Sequence, residues 1–94
     1  MARITEAEIA EIVEDILAEC PNGQASIAYL VREIPNRVQL STDDLAHSPT
    51  RANEAIWEQQ VRNITSHKAS AKNAIYQGRL VSIRGGLALP RKAA

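Results

Sequence analysis

The sequence Leu80-Val81-Ser82-Ile83-Arg84-Gly85-Gly86-Leu87-Ala88-Leu89 contains two short β-prone runs on either side of an Arg-Gly-Gly turn. A Gly-Gly pair between such runs favours a β-hairpin, because glycine readily adopts the backbone angles of a tight turn. We therefore predict strands at residues 80–83 and 87–89, joined by a turn at residues 84–86. The chain changes character here, since the segments before the hairpin have helical spacing.

The first of these segments begins with a capping box, Thr5-Glu6-Ala7-Glu8, in which Thr5 and Glu8 satisfy each other's backbone N–H groups. Apolar residues follow at helical spacing and predict one buried stripe: Ile9, Ile12, Val13, Ile16, Leu17 and Cys20. Pro21-Asn22-Gly23 ends the helix, because proline cannot continue it and Asn-Gly tolerates a positive φ.

Two more helices are predicted before the hairpin. The second runs from about residue 26 to 34 and ends at Pro35, and the third runs from about residue 52 to 67. Between them, Ser41-Thr42-Asp43-Asp44 looks like the cap of one short helical turn. After the third helix, Ser70 is expected to cap turns over residues 71–77, with Gly78 as the C-terminal cap.

Three helices followed by a hairpin, with room for a short strand near Gln24-Ala25, is the order of a winged helix-turn-helix. We therefore predict a mainly α fold with a small β-hairpin, formed by residues 1–94 as a single domain. Fold order alone does not establish function, because many winged helices bind proteins and some only hold dimers together.

The zero net charge conceals an asymmetry between the two halves of the chain. Residues 1–50 carry three arginines and nine acidic residues, whereas residues 51–94 carry eight Lys or Arg and two acidic residues. One interpretation is a basic surface that meets an anion such as nucleic acid. The other is that the two halves attract each other, within the domain or across a dimer.

The outward side of the third helix presents side chains suited to DNA. Glutamine can pair with adenine and arginine with guanine, while basic residues at the helix ends and in the hairpin can bind phosphates. The predicted DNA-binding residues are Arg51, Gln59, Arg62, Ser66, Lys68, Lys72, Arg79 and Arg84. Asn63 and His67 flank the apolar side instead, and we expect them to be partly buried and to bond the following loop or Asn73.

Catalysis and cofactor binding are not expected. Cys20, His47 and His67 are the only soft metal ligands, and they lack a zinc-like spacing. No phosphate-binding glycine loop or dinucleotide fingerprint is present, and no nucleophile is accompanied by a base. With a single cysteine, no signal-peptide stretch and no apolar run long enough for a membrane span, we expect a cytoplasmic protein.

The run Trp57-Glu58-Gln59-Gln60-Val61-Arg62-Asn63-Ile64, followed by Gly78-Arg79-Leu80 and the Gly85-Gly86 hairpin, resembles the N-terminal winged-helix domain of Mrr-type restriction endonucleases and related nucleases. The resemblance covers most of the chain and implies that Gln59 and Arg62 lie on the DNA-facing helix. Residues 65–73 form a longer connection than that family has before the Gly-Leu step. The family's nuclease motif, an Asp followed by a Glu-x-Lys cluster, is missing.

The function predicted from these features is DNA binding without catalysis, as a regulator or as the recognition module of a restriction-type system. The alternative is a protein–protein or dimerisation module that uses the acidic N-terminal and basic C-terminal halves. A nuclease subunit completed by another chain is a third hypothesis.

Overall fold

A computed structural model describes residues 3–49 and 53–90. Within these ranges the chain forms four helices and three strands, in the order α1 (Glu6–Ala18), β1 (Gln24–Ser26), α2 (Ile27–Glu33), α3 (Thr42–Leu45), α4 (Ile56–Ser66), β2 (Val81–Ile83) and β3 (Gly86–Ala88). The predicted third helix corresponds to α4. No helix in the described part of the chain is long and apolar enough to cross a membrane.

The three strands form one antiparallel sheet in the order β1-β3-β2. The hairpin prediction is confirmed, since Val81 pairs with Ala88 and Ile83 pairs with Gly86. The turn is shorter than predicted, because Gly86 belongs to β3 and pairs with Ser26 of β1. Only Arg84 and Gly85 remain in the turn, where Gly85 has a φ of 73°.

The turn before β1 reverses the chain within three residues. Asn22 and Gly23 have φ values of 61° and 63°, the left-handed conformation that the Asn-Gly pair tolerates. The Gly23 carbonyl then accepts a hydrogen bond of 2.8 Å from the Leu89 N–H, beyond the end of β3. The turn therefore directs β1 into the sheet beside the hairpin.

The core lies between α1, α4, α2 and the inner face of the sheet. The Thr5–Glu8 capping box forms as predicted at the start of α1. The predicted apolar stripe packs inward, although Ile12 and Cys20 are only partly buried. Further fully buried side chains come from the other elements: Leu30, Ile34, Val61, Ile64, Leu80 and Leu87.

The segment before α4 corrects the predicted helix start. Ala46 O accepts from Ile56 N at 2.8 Å, and Glu54 O accepts from Ser48 N at 2.8 Å. His47 and Ala55 form an isolated β-bridge between these two bonds. Because this pairing holds Ala55 in an extended conformation, α4 begins at Ile56 rather than near residue 52.

Residues 70–78 form a series of bends and hydrogen-bonded turns. The short helix that we predicted after Ser70 is not formed. Buried Asn73 is the side chain that organises them, since its Oδ1 accepts from Ile75 N at 2.7 Å and from Tyr76 N at 3.2 Å. Gly78 closes the segment with a φ of 79°, as predicted for a C-terminal cap.

Asp44 joins α3 to the segment before α1. Its buried carboxylate accepts from Ile4 N at 2.8 Å and from Ser41 N at 2.9 Å. Burial by itself raises the pKa of Asp44, but the hydrogen bonds from Ser41 and Ile4 outweigh burial and hold the pKa below its usual range.

Asp44 is therefore expected to make folding stability pH-dependent. Because its folded pKa lies below the unfolded value of about 3.9, its stabilisation is complete above that pH and is lost as the pH falls through the folded pKa. Asp44→Asn should lower the free energy of unfolding by about 1–3 kcal/mol at neutral pH. Its melting temperature should also fall less than that of the wild type as the pH is lowered. Asp43 is exposed, so the melting temperature of the control Asp43→Asn should depend on pH as that of the wild type does. The same dependence on acidic pH in all three proteins would contradict this role of Asp44.

Candidate nucleic-acid interface

A polar cleft of about 290 Å³ separates the C-terminal half of α4 from the β2–β3 hairpin. We call it the α4–hairpin cleft, and it is lined by Ile27, Arg62, Thr65, Ser66, Ser82, Ile83, Gly85 and Gly86. Its polar groups are one guanidinium and three hydroxyls, and none of its lining side chains is acidic. This composition suits an anionic or hydrogen-bonding ligand.

Two of the predicted DNA-binding residues, Arg62 and Ser66, lie together in this cleft. They are one helical turn apart on α4, so both face the hairpin. Ser82 on β2 faces the same space, although it was not predicted as a site residue. Strand alternation alone could not have identified Ser82, because the sequence does not give the distance between the hairpin and α4.

Arg62 is half exposed, and its Nε donates to Oε2 of Glu54. The Glu54 side chain is only 14% exposed. Its other oxygen, Oε1, is buried and has no hydrogen-bond partner in the part of the chain that the structure describes. Glu54 was not singled out from the sequence, because the prediction placed it in the first turn of the third helix rather than in the extended segment before α4.

Gln59 is partly buried and engaged within the domain. Its Oε1 accepts a hydrogen bond of 2.8 Å from the hydroxyl of buried Ser48. An adenine contact through both ends of the Gln59 amide would require this bond to break. The structure therefore places Gln59 as a link between α4 and the loop before it.

Three other predicted residues lie outside the α4–hairpin cleft, in the segment after α4 and in the hairpin turn. Lys68 and Lys72 are exposed in the segment after α4, and Arg84 is exposed in the hairpin turn. Within residues 3–49 and 53–90, none of these three cations forms an ion pair. Arg51 lies outside the described residues.

Arg79 has a partner on another element. Its Nη1 lies 2.7 Å from Oε2 of Glu14 on α1, and its Nε donates to Oε1 of Gln77 at 3.0 Å. Its charge is thus directed towards α1, and Arg79 does not line the α4–hairpin cleft.

The predictions for His67 and Asn63 are wrong in detail. His67 is exposed, and its Nδ1 lies 2.7 Å from Oε1 of Glu6 on α1 rather than bonding the following loop. Asn63 is partly buried, but its amide donates to Gln60 within α4 at 3.2 Å. Asn73 makes the loop contacts instead, and its Nδ2 donates to Oε2 of the same Glu6 at 3.1 Å.

The charge asymmetry is partly balanced inside the domain. Arg79 with Glu14 and His67 with Glu6 both connect the basic half to the acidic first helix. On the outward side of α1, Glu11 and Asp15 are exposed and have no ion-pair partner among the described residues.

A larger cleft of about 590 Å³ lies on the outer side of the sheet, lined by Asn22, Gln24, Val81, Ile83, Ala88 and Leu89. It contains no charged side chain, so it offers no group that could bind a phosphate by ionic attraction. For this reason the smaller α4–hairpin cleft is the better candidate for contact with nucleic acid.

Among the described residues, no three His, Cys, Asp or Glu side chains lie close enough to hold a metal ion. Cys20 is a partly buried free thiol. No protein-family model matches the chain, and no curated protein or solved structure is significantly similar to it.

Proposed function

We propose that this chain is a non-catalytic winged-helix DNA-binding protein. In this proposal α4 enters the major groove and the β2–β3 hairpin contacts the flanking backbone as the wing. The observation that carries the proposal is the α4–hairpin cleft, where Arg62 and Ser66 lie beside the hairpin that bears exposed Arg84.

The order of the elements supports this assignment. A helix, a strand, two helical segments, the helix α4 and a hairpin follow one another, and β1 joins the hairpin as a third strand. Trp57, Val61 and Ile64 bury the inner face of α4, while Arg62 and Ser66 are exposed beside the hairpin. A helix presented in this way has the dimensions that the major groove of B-DNA admits.

Three exposed cations that form no ion pair among the described residues support phosphate contacts beside α4. Lys68 and Lys72 follow the helix, and Arg84 lies in the hairpin turn. If these three cations each neutralise one phosphate, log K should fall with log salt with a slope of about −3. The resemblance to Mrr-type N-terminal domains extends the proposal to a recognition module that acts with a nuclease on a separate chain or domain.

The proposal is tested by fluorescence anisotropy of a labelled random duplex at several salt concentrations. We expect binding at low salt that weakens with the slope given above. Absence of binding at low salt would contradict the proposal. The protein–protein alternative would then be favoured, because exposed Glu11 and Asp15 on α1 offer an acidic surface for a basic partner. Sedimentation at several protein concentrations would detect self-association.

On a duplex selected for tight binding from a randomised library, Arg62→Ala should weaken binding at least about tenfold, since it removes the guanidinium from the cleft. Arg37→Ala is the matched control: Arg37 is also paired with a glutamate, Glu19, at 2.8 Å, but it does not line the cleft. Anisotropy titrations should be made well below the melting temperature of each variant, because Arg62→Ala leaves the largely buried Glu54 unpaired. Equal affinities for the two variants would remove α4 from the interface.

A further inference from the structure

The ion pair between Arg62, which lines the α4–hairpin cleft, and Glu54, which does not, uses a particular part of the Arg62 side chain. Nε donates to Glu54, and no hydrogen bond joins Nη1 or Nη2 to any other described residue. These two nitrogens form the end of the guanidinium fork, and each carries two N–H groups. The contact with Glu54 therefore fixes the plane of the guanidinium and leaves its end free to donate to a ligand.

Glu54 is itself held in place. Its backbone carbonyl accepts from Ser48 N at 2.8 Å, beside the His47–Ala55 bridge that precedes α4. Its carboxylate is mostly buried, and Oε1 has no hydrogen-bond partner within residues 3–49 and 53–90. Such a carboxylate depends on the cation beside it, so that releasing Arg62 to a distant ligand would leave a poorly solvated charge.

Two ligands in DNA match the end of an arginine fork, a phosphate and the major-groove edge of guanine. The carboxylate of Glu54 distinguishes between them. It cancels most of the attraction between Arg62 and a phosphate, and it repels a phosphate placed nearby. A guanine edge carries no net charge and offers two acceptors, O6 and N7, to the two free nitrogens.

We propose that Arg62, oriented by Glu54, reads a guanine in the major groove, and that Glu54 is a positioning residue for this contact. The inference rests on the proposed DNA binding and gives it a base specificity. Phosphate contacts remain with the unpaired cations Lys68, Lys72 and Arg84. Arg62 therefore contributes sequence discrimination rather than general affinity.

The test begins with selection of preferred sites from a randomised duplex library. In the selected duplex, each invariant guanine is replaced in turn by 7-deazaguanine, which lacks the N7 acceptor but still pairs with cytosine. At one position we expect this change to weaken wild-type binding about fivefold or more. Arg62→Lys should lose most of this penalty, because lysine keeps the charge without the fork.

The role of Glu54 is tested with Glu54→Gln and the control Glu58→Gln. Glu58 lies in the first turn of α4, where its carboxylate accepts from Ala55 N at 3.3 Å, and it forms no ion pair with an arginine of residues 3–49 and 53–90. Glu54→Gln should bind random duplex at least as well as the wild type. The loss of its affinity on replacing the contacted guanine by 7-deazaguanine should fall to about twofold. Glu58→Gln should retain the full penalty. Equal changes for the two variants would assign the effect to net charge and overturn the positioning role.

A second measurement needs no variant of Glu54. In the wild-type complex, the Arg62 Nε–H should give a sharp NMR signal that exchanges slowly with water, and a signal lost to exchange would overturn the orientation by Glu54. Wild-type binding without any penalty at a guanine would overturn the guanine contact while leaving DNA binding intact. Absence of DNA binding by the wild type would overturn this inference together with the proposed function.

Discussion

Gly86→Ala should unfold the sheet and remove much of the stability of the domain. An alanine Cβ at this position would lie 2.0 Å from the carbonyl oxygen of Ala25 and 2.9 Å from Cα of Ser26. Both are backbone atoms of β1, so the clash is relieved only if β1 moves away from β3. We expect the free energy of unfolding to fall by about 3 kcal/mol or more, whereas the total for a domain of this length is roughly 5–14 kcal/mol.

Urea unfolding followed by circular dichroism measures this loss. Gly85→Ala is the matched control, because Gly85 has a φ of 73° but no atom lies within 4 Å of its added Cβ. Gly85→Ala should lower the free energy of unfolding by about 1–2 kcal/mol, because alanine there must adopt the left-handed conformation but meets no clash. If Gly86→Ala were no less stable than Gly85→Ala, the close approach of β1 and β3 would not exist in solution.

Asn73→Asp is expected to be the most damaging single-atom replacement in the described part of the chain. Asn73 is 1% exposed, and its Nδ2 donates to Ile64 O at 2.8 Å and to Oε2 of Glu6 at 3.1 Å. Aspartate would place a buried, negatively charged oxygen against a carbonyl and a carboxylate. We expect a loss of about 3 kcal/mol or more at neutral pH, because a buried charge without a partner is costly.

The control is Asn63→Asp, since Asn63 is only partly buried and, within the described ranges, its amide donates only to Gln60 on its own helix. That change should cost less than about 1 kcal/mol. The double variant Asn73→Asp with Glu6→Gln should recover part of the loss, because glutamine can donate to the new carboxylate. Unchanged stability of Asn73→Asp in thermal unfolding would show that Asn73 does not connect α1, α4 and the turn segment.

DNA binding by a chain of zero net charge requires that charge be separated on its surface. Glu14 and Glu6 pair with Arg79 and His67, which keeps these acidic groups near basic side chains of the second half. The unpaired cations Lys68, Lys72 and Arg84 lie after α4 and in the hairpin turn. The proposed interface therefore depends on local rather than overall charge, and its affinity should be strongly reduced by moderate salt.

The candidate site could be predicted only in part. Its location on α4, the last helix, follows from the apolar spacing of that helix, which identifies the outward residues Arg62 and Ser66. Glu54 and Ser48, however, reach Arg62 and Gln59 from a loop 8 and 11 residues away in sequence. A helical pattern shows which side of a helix faces outward, but not which side chains of another segment lie against it.

The sequence by itself determined the features that depend on neighbours within a few residues. These are the Thr5–Glu8 capping box, the left-handed Asn22-Gly23 turn, the Ser41 cap of α3, the Gly78 cap and the hairpin at Gly85. Backbone sterics and short-range hydrogen bonds decide such features, and both can be read from adjacent residue types.

Only the tertiary structure decided where α4 begins and how its polar side chains are used. The bridge between His47 and Ala55 sets the start of α4, and Glu6 binds both His67 and Asn73 across more than sixty residues. Gly86 belongs to a strand rather than a turn because β1 packs directly against its backbone. Each outcome depends on which segments, distant in sequence, lie within hydrogen-bond distance of each other once the core has packed. The spacing of residues along the chain does not show which segments these are.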